Sequence, residues 1–122
     1  MLSAEFVVGI GLRPRTPADT IRAALREAAG DHRIACLATL AQRGAEPGLR
    51  AVAAELGVPL RSYSAAELSA VVVPNPGSRT RSAVGTASVA EAAALLASDG
   101  GPLVLPKRVV RGVVLAAALH HG

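Results

Sequence analysis

Short apolar runs alternate along this chain with amphipathic segments that carry helix start and stop signals, and this alternation favours an α/β fold. The first run, residues 6–11, is rich in β-branched side chains and ends in glycine. Thr16 is then a predicted N-cap and Pro17 a predicted first helical residue, and the apolar stripe of this helix ends at Gly30. Residues 34–40 form the next apolar run and predict a strand that is buried on both faces.

The middle of the chain repeats this plan with shorter elements. A helix is predicted from Pro47 to a stop at Gly57, and a short strand is predicted at residues 58–63. Ser64–Glu67 has the pattern of a capping box, which predicts a short helix. Residues 71–78 combine three valines with Pro-Asn-Pro-Gly-Ser, which predicts an apolar run followed by a rigid turn.

The end of the chain predicts one more helix and two strands. A second capping box, Ser88–Glu91, opens the helix. The last apolar runs, residues 103–105 and 113–119, are predicted antiparallel neighbours because the segment that joins them, Pro106–Arg108, is short. The predicted fold class is therefore a three-layer α/β/α single domain with a mixed, mostly parallel sheet and a C-terminal antiparallel strand pair.

Composition restricts how such a fold packs and where the protein works. The length of 122 residues fits one domain over residues 1–122, and 26 alanines with only 2% aromatic residues predict a core of aliphatic side chains and closely packed helices. No apolar run reaches the roughly 18 residues that a membrane span needs, and the N-terminus lacks the pattern of a signal peptide. Cys36 is the only cysteine, which excludes a disulfide framework. We therefore expect a cytoplasmic protein without a membrane partner.

The charge of the chain favours a small anionic ligand over nucleic acid. Twelve arginines and Lys107 outnumber nine acidic residues, for a net charge of +4. The basic residues are scattered instead of forming one stripe, and only Phe6 and Tyr63 are available to stack on bases. A GC-rich genome accounts for much of such an arginine bias. Where the charge serves binding, we expect a small polycarboxylate or phosphate and no nucleic acid.

Several common catalytic and cofactor sites are excluded by spacing. Gly9 and Gly11 begin the pattern of a dinucleotide-binding turn, but the third glycine of that pattern would fall at Pro14. Cys36 lies in an apolar run without a basic neighbour along the chain, which predicts a core residue. The three histidines are not spaced as metal ligands, and no nucleophile elbow or closely placed carboxylate pair occurs. We therefore expect neither a cofactor nor a metal ion, and we assign no catalytic residue.

Polar residues follow the early strands, at positions where α/β proteins bind their ligands. In an open α/β sheet the ligand lies beyond the carboxyl ends of the strands, where helix N-termini point their amides outwards. Gly11 and Arg13 follow the first strand, and the segment 39–43 with Glu46 follows the second. Three residues of later loops are expected at the same edge, namely Asn75, Gly85 and Thr86.

Five short motifs then follow one another in a specific order, at residues 9–13 (Gly-Ile-Gly-Leu-Arg), 73–76 (Val-Pro-Asn-Pro), 84–86 (Val-Gly-Thr), 88–94 (Ser-Val-Ala-Glu-Ala-Ala-Ala) and 106–107 (Pro-Lys). In this order they resemble the CobE family, which is similar to the C-terminal domain of CbiG. Both belong to cobalamin biosynthesis. The resemblance extends from about residue 6 to residue 118.

The resemblance implies a three-layer α/β/α domain that acts in construction of the corrin ring. CbiG-type proteins open the ring lactone of a cobalt-precorrin and release acetaldehyde, and they carry a separate N-terminal domain. CobE-type proteins belong to the aerobic route. The family often has Cys or Ser where Leu12 stands in this sequence, and Lys where Arg43 stands. Leu12 disfavours a nucleophile in the first turn, and Arg43 keeps the positive charge with a different geometry.

Three functional hypotheses follow. Corrin precursors are apolar macrocycles fringed with carboxylates, so the leading hypothesis is a protein that binds a precorrin or corrinoid intermediate as an auxiliary or carrier, with Arg13, Arg43 and Lys107 on the carboxylates. The full set of expected ligand-binding residues is Gly11, Arg13, Thr39, Arg43, Glu46, Asn75, Gly85, Thr86 and Lys107. A second hypothesis is a hydrolase of the cobalt-precorrin-5A type, with Glu46 or Glu67 as general base. A third is a docking module for other enzymes of the pathway.

Overall fold

A computed structural model of the chain describes residues 5–30, 32–70, 86–99 and 102–119. The predicted apolar run and turn at residues 71–78, together with Asn75 and Gly85, lie outside these residues. The elements in chain order are β1 (Glu5–Gly11), α1 (Ala18–Ala29), β2 (Arg33–Leu40), a 3-10 turn (Ala41–Arg43), α2 (Pro47–Leu56), β3 (Leu60–Tyr63), α3 (Ala65–Ser69), α4 (Thr86–Ala97), β4 (Leu103–Val110) and β5 (Val113–Leu119).

The strands form one five-stranded mixed sheet in the order β3-β2-β1-β5-β4. The pairs β1–β2 and β2–β3 are parallel, as two strand–helix–strand units require. The pairs β1–β5 and β4–β5 are antiparallel, which confirms the predicted mixed α/β fold and its C-terminal strand pair. Parallel pairs are two of the four described, so the sheet is less dominated by them than the sequence predicts.

The core lies on both faces of this sheet. Along β5, Val113 and Leu115 pack in one cluster with residues of α1 and α2, whereas Val114 packs in another with Ala90 of α4. This alternation follows from the two-residue period of a strand. Close approach of α4 depends on Gly9 of β1, where a side chain would collide with the Ala90 carbonyl. Small residues therefore let the alanine-rich helix α4 pack closely on the sheet, without large aromatic side chains to fill the space between them.

Two predicted boundaries are wrong around the helix starts. The N-cap of α1 is Pro17, and the hydroxyl of Thr16 donates instead to the carbonyl of Arg13, 2.7 Å away. The chain turns sharply here because Arg15 has a φ of 64°, which brings that carbonyl within reach. Helix α4 begins at Thr86, before the expected cap at Ser88. The alanines of this segment favour helix, so nothing in the sequence requires a later start.

A third correction concerns the C-terminal hairpin. Pro106–Arg108 belongs to β4 and not to the connection, which is the two-residue turn of Arg111 and Gly112. Proline is accepted within β4 because this strand is at an edge of the described sheet, where its missing N–H leaves no ladder bond unmade. The register shifts between Leu105 and Arg108, around the proline.

Candidate functional site

The carboxyl ends of the parallel strands β1 and β2 meet at one edge of the sheet. Two turns leave this edge, residues 12–17 between β1 and α1 and residues 41–46 between β2 and α2. We call these two turns together the carboxyl-end rim. It contains Arg13, Arg43 and Glu46, which the spacing of the sequence also places at one edge.

Thr39 lies just beneath the rim and is fully buried. Its hydroxyl donates to the carbonyl of Ile10 on the neighbouring strand, 2.8 Å away. A buried hydroxyl without such a partner would cost about 1–3 kcal/mol. The structure therefore commits this hydroxyl to joining β2 to β1, below the surface that a ligand would touch.

Arg43 joins the two turns of the rim from the β2 side. Its Nε donates to the carbonyl of Leu12 at 2.9 Å, and the side chain is half-buried. This bond uses one of the five N–H groups of the guanidinium. The terminal nitrogens have no partner in the described part of the chain, so they remain available at the rim.

Glu46 joins the same two turns through a second bond. Its Oε1 accepts from the backbone amide of Arg15 at 2.7 Å and so holds Arg15 in its left-handed conformation. The start of α2 also lies directly against the turn before α1. The contact is so close that a side chain at Gly48 would collide with the Thr16 carbonyl. The two turns therefore form one rigid unit.

Two exposed arginines project from this unit. Arg13, a predicted ligand-binding residue, is exposed and has no ion pair among the described residues. Arg15 is also exposed, although the sequence pattern assigns it no role. The only sequence signal for it is its position between Pro14 and Thr16 in the first turn. The rim thus carries three arginines against the single carboxylate of Glu46.

Three other predicted residues lie in the described part of the chain, namely Gly11, Thr86 and Lys107. Gly11 is buried at the end of β1, directly below the rim. Lys107 lies on the exposed edge strand β4, two strands away from β1. Its backbone amide donates at 3.0 Å to Oε2 of Glu91, a carboxylate of α4 that is only 1% exposed. The sequence suggests only a capping role for Glu91. Thr86 is the first residue of α4.

Neither Cys36 nor the other possible metal ligands of the described residues form a reactive site. Cys36 is buried, and this burial raises the pKa of its thiol, an effect that the nearby Arg61 charge partly offsets. The thiol is therefore protonated at neutral pH and fits the predicted core role. Within the described ranges, no three His, Cys, Asp or Glu side chains converge on a common point, and no helix is long and apolar enough to cross a membrane.

The fold and the rim define a small α/β domain whose first two strand–helix turns are locked together. Residues 6–118 match the family model described as cobalamin synthesis G C-terminus, and the chain belongs to this family. This membership confirms the resemblance found in the sequence motifs and makes the chain a protein of cobalamin biosynthesis.

Individual relatives agree with this assignment. Protein CobE of a Sinorhizobium species is 31% identical over 121 residues, which cover 93% of this chain and 79% of the relative. The crystal structure of CobE, a protein from the cobalamin (vitamin B12) biosynthetic pathway, has a TM-score of 0.74 at 27% identity and covers 98% of this chain and 94% of its own. The cobalamin biosynthesis protein chiG from Agrobacterium tumefaciens has a TM-score of 0.73 at 35% identity, covering 96% and 99%.

Proposed function

We propose that this chain binds a ring intermediate of cobalamin biosynthesis, a precorrin or corrinoid polycarboxylate, at the carboxyl-end rim, and that it acts as an auxiliary or carrier protein. The observation that carries the proposal is the locked pair of turns with Arg13, Arg15 and the terminal nitrogens of Arg43 at the same edge of the sheet. The ring intermediates of this pathway carry several acetate and propionate side chains.

Arginine suits these side chains for geometric reasons. A guanidinium donates two parallel N–H bonds to one carboxylate, and such charged bonds are stronger than neutral ones. The bonds of Arg43 and Glu46 to the β1–α1 turn fix the positions of the arginines before a ligand arrives. Preorganisation of this kind lowers the entropic cost of binding.

The hydrolase hypothesis receives less support, because one oxygen of each candidate base already holds a backbone amide in place. Oε1 of Glu46 accepts from the amide of Arg15, and Oε1 of Glu67 accepts from the amide of Ser64 in a complete capping box. A general base must instead reach the proton of a substrate or of its water. The arrangement favours binding over proton abstraction.

The test is a titration of the purified protein with hydrogenobyrinic acid, followed by the visible absorbance of the ligand because the chain has no Trp. We expect saturable binding that weakens as salt screens the charges. The double variant Arg13→Gln/Arg15→Gln should bind at least about tenfold more weakly, since each charged bond contributes about 1.5–3 kcal/mol. The control matched in charge is Arg26→Gln/Arg33→Gln, which alters two exposed arginines at the other end of the sheet.

Three results would contradict the proposal. Equal loss of affinity in the rim variant and in Arg26→Gln/Arg33→Gln would show that only net charge matters. A spectral change that continues with time at fixed ligand would favour the hydrolase. Absence of binding would leave the docking module, which should instead retain another enzyme of the pathway in a pull-down with purified components.

A further inference from the structure

A second concave surface lies at the amino-terminal ends of the parallel strands, opposite the rim. It is an open groove of about 460 Å³ between the C-terminal halves of α1 and α2 and the start of β2. We call it the α1–α2 groove. Seven steps of about 3.3 Å along β2, from Arg33 to Leu40, separate this end of the sheet from the rim by about 23 Å. The groove therefore does not overlap the proposed ring site.

The floor of the groove is apolar. Leu25, Ala29 and Val52 are buried core residues whose outer surfaces line it. Leu56, at the end of α2, is 45% exposed and is one of the few large apolar side chains of the described residues that the core leaves uncovered. A groove of this volume falls within the range of small-molecule sites.

Three arginines border this floor, and two of them, Arg26 and Arg33, have little or no compensation from carboxylates of the described residues. Arg26 has no ion pair among the described residues, and the only carboxylate near Arg33 in that part of the chain is that of Glu5, at 3.9 Å. Arg22 differs, because its guanidinium is fully engaged by Glu55 at 2.7–2.8 Å and by Asp19 at 2.6 Å. Arg22 and Glu55 form a neutral wall of the groove. Arg26 has no ion pair among the described residues, and Arg33 has only the long contact with Glu5, which leaves most of its guanidinium donors for an anion.

Two carbonyls at the end of α1, which would otherwise repel an anion, already accept hydrogen bonds. The carbonyl of Arg26 accepts from the amide of Gly30 at 3.0 Å, and the carbonyl of Ala29 accepts from the amide of His32 at 3.0 Å. The Ala29 carbonyl also lies 2.9 Å from Nδ1 of His32, which must carry the proton because a carbonyl only accepts. The imidazole stacks on Phe6 with ring centres 4.4 Å apart and thus forms a fixed wall.

We propose that the α1–α2 groove binds a small amphipathic monocarboxylate, with its apolar body on Leu25, Val52 and Leu56 and its carboxylate between Arg26 and Arg33. The apolar floor and the guanidinium groups of Arg26 and Arg33 line the same groove, and this combination matches a ligand with one apolar and one anionic end. A neutral apolar molecule would leave the arginines unused, and a fully polar anion would leave the exposed surface of Leu56 in water.

The probe is octanoate, added to ¹⁵N-labelled protein while the backbone amide signals are followed by NMR. We expect saturable shifts in the millimolar range, concentrated at Gly30, Arg33 and Leu56. Octanol, which has the same chain without the charge, should bind at least about tenfold more weakly, as should octanoate to the Arg26→Gln/Arg33→Gln variant. The matched control Arg13→Gln, which alters the rim, should bind octanoate as the unchanged protein does.

Equal shifts with octanol and octanoate would overturn the proposal, because the arginine stems would then only cover the apolar floor. Shifts spread over the whole molecule, or no saturation, would also overturn it. The Arg26→Gln/Arg33→Gln variant should retain its affinity for hydrogenobyrinic acid. A failure at the groove is therefore distinguishable from a failure at the rim.

Discussion

At the scale of single residues, the polar side chains of the rim divide into two kinds. Thr39, Arg43 and Glu46 each bond to a backbone group of β1 or of the turn that follows it. Arg13 and Arg15 are exposed and carry charge outwards. The first kind sets the shape of the rim, and the second is placed to meet a ligand.

Glu46 allows this division to be tested. In Glu46→Ala the amide of Arg15 loses its acceptor, so we expect the free energy of unfolding to fall by about 1 kcal/mol. Binding of hydrogenobyrinic acid should weaken as well, because the β1–α1 turn loses its anchor. Glu46→Gln keeps an acceptor oxygen and should preserve both quantities. Urea unfolding and absorbance titration measure them, and a loss of ring binding in Glu46→Gln equal to that in Glu46→Ala would contradict the positioning role.

The sequence predicts that the rim residues lie together, but it does not show which of them bond to the backbone and which are exposed. Since the carboxyl ends of parallel strands share an edge, the positions of Arg13, Arg43 and Glu46 after two strands are sufficient to predict their proximity. Which atoms bond depends on the path of the turn, and that path depends on the left-handed conformation of Arg15. A non-glycine residue gives little local signal for this conformation, so the pattern overlooks Arg15 and wrongly makes Thr16 a cap.

At the scale of elements, the C-terminal hairpin is a case in which the sequence pattern predicts the strands but misplaces the turn between them. Two apolar runs joined by a short segment correctly predict two antiparallel strands, but Pro106 suggests a break in the chain. Whether proline interrupts a strand depends on whether its missing N–H faces a partner, and this is decided by the position of the strand in the sheet. The true turn, Arg111-Gly112, has positive φ at both residues and lacks the Asn-Gly or Asp-Gly sequence that usually announces it.

The hairpin gives a prediction at this scale. Gly112 has a φ of 80°, and a methyl group at this position would meet open space, so Gly112→Ala should lose stability only through backbone strain. We expect the free energy of unfolding to fall by about 1–2 kcal/mol. Gly112→Asn is the matched comparison, since Asn adopts this conformation more readily, and it should recover most of the loss. Equal stability of the Ala and Asn variants in urea unfolding would contradict this account of the turn.

At the scale of the whole molecule, helix packing determines the shape of the rim. Helices α1 and α2 share one face of the sheet, and their N-terminal ends meet where Gly48 lies against Thr16. The C-terminal parts of the same two helices line the α1–α2 groove, and the ion pair of Arg22 with Glu55 joins the helices at the wall of that groove. Both proposed sites therefore depend on one helix pair.

This dependence predicts a specific effect of Gly48→Ala. The new methyl group would collide with the Thr16 carbonyl and lie 3.0 Å from the amide of Ala18, so α2 must move away from the β1–α1 turn. We expect a loss of about 1–3 kcal/mol in the free energy of unfolding, the usual cost of overpacking. Because the bonds of Arg43 and Glu46 span the same contact, binding of hydrogenobyrinic acid should fall as well.

The control for this effect is Gly57→Ala, at the other end of α2. Gly57 has a φ of 71° and open space around it, so alanine there should cost about 1–2 kcal/mol through backbone strain alone. The two variants are thus matched in substitution and similar in stability, yet only Gly48→Ala disturbs the rim. Titration of both should show weaker ring binding in Gly48→Ala and unchanged binding in Gly57→Ala. If both variants bind as tightly as the unchanged protein, helix packing does not set the geometry of the ring site, and the arginines of the rim act without the preorganisation that we infer.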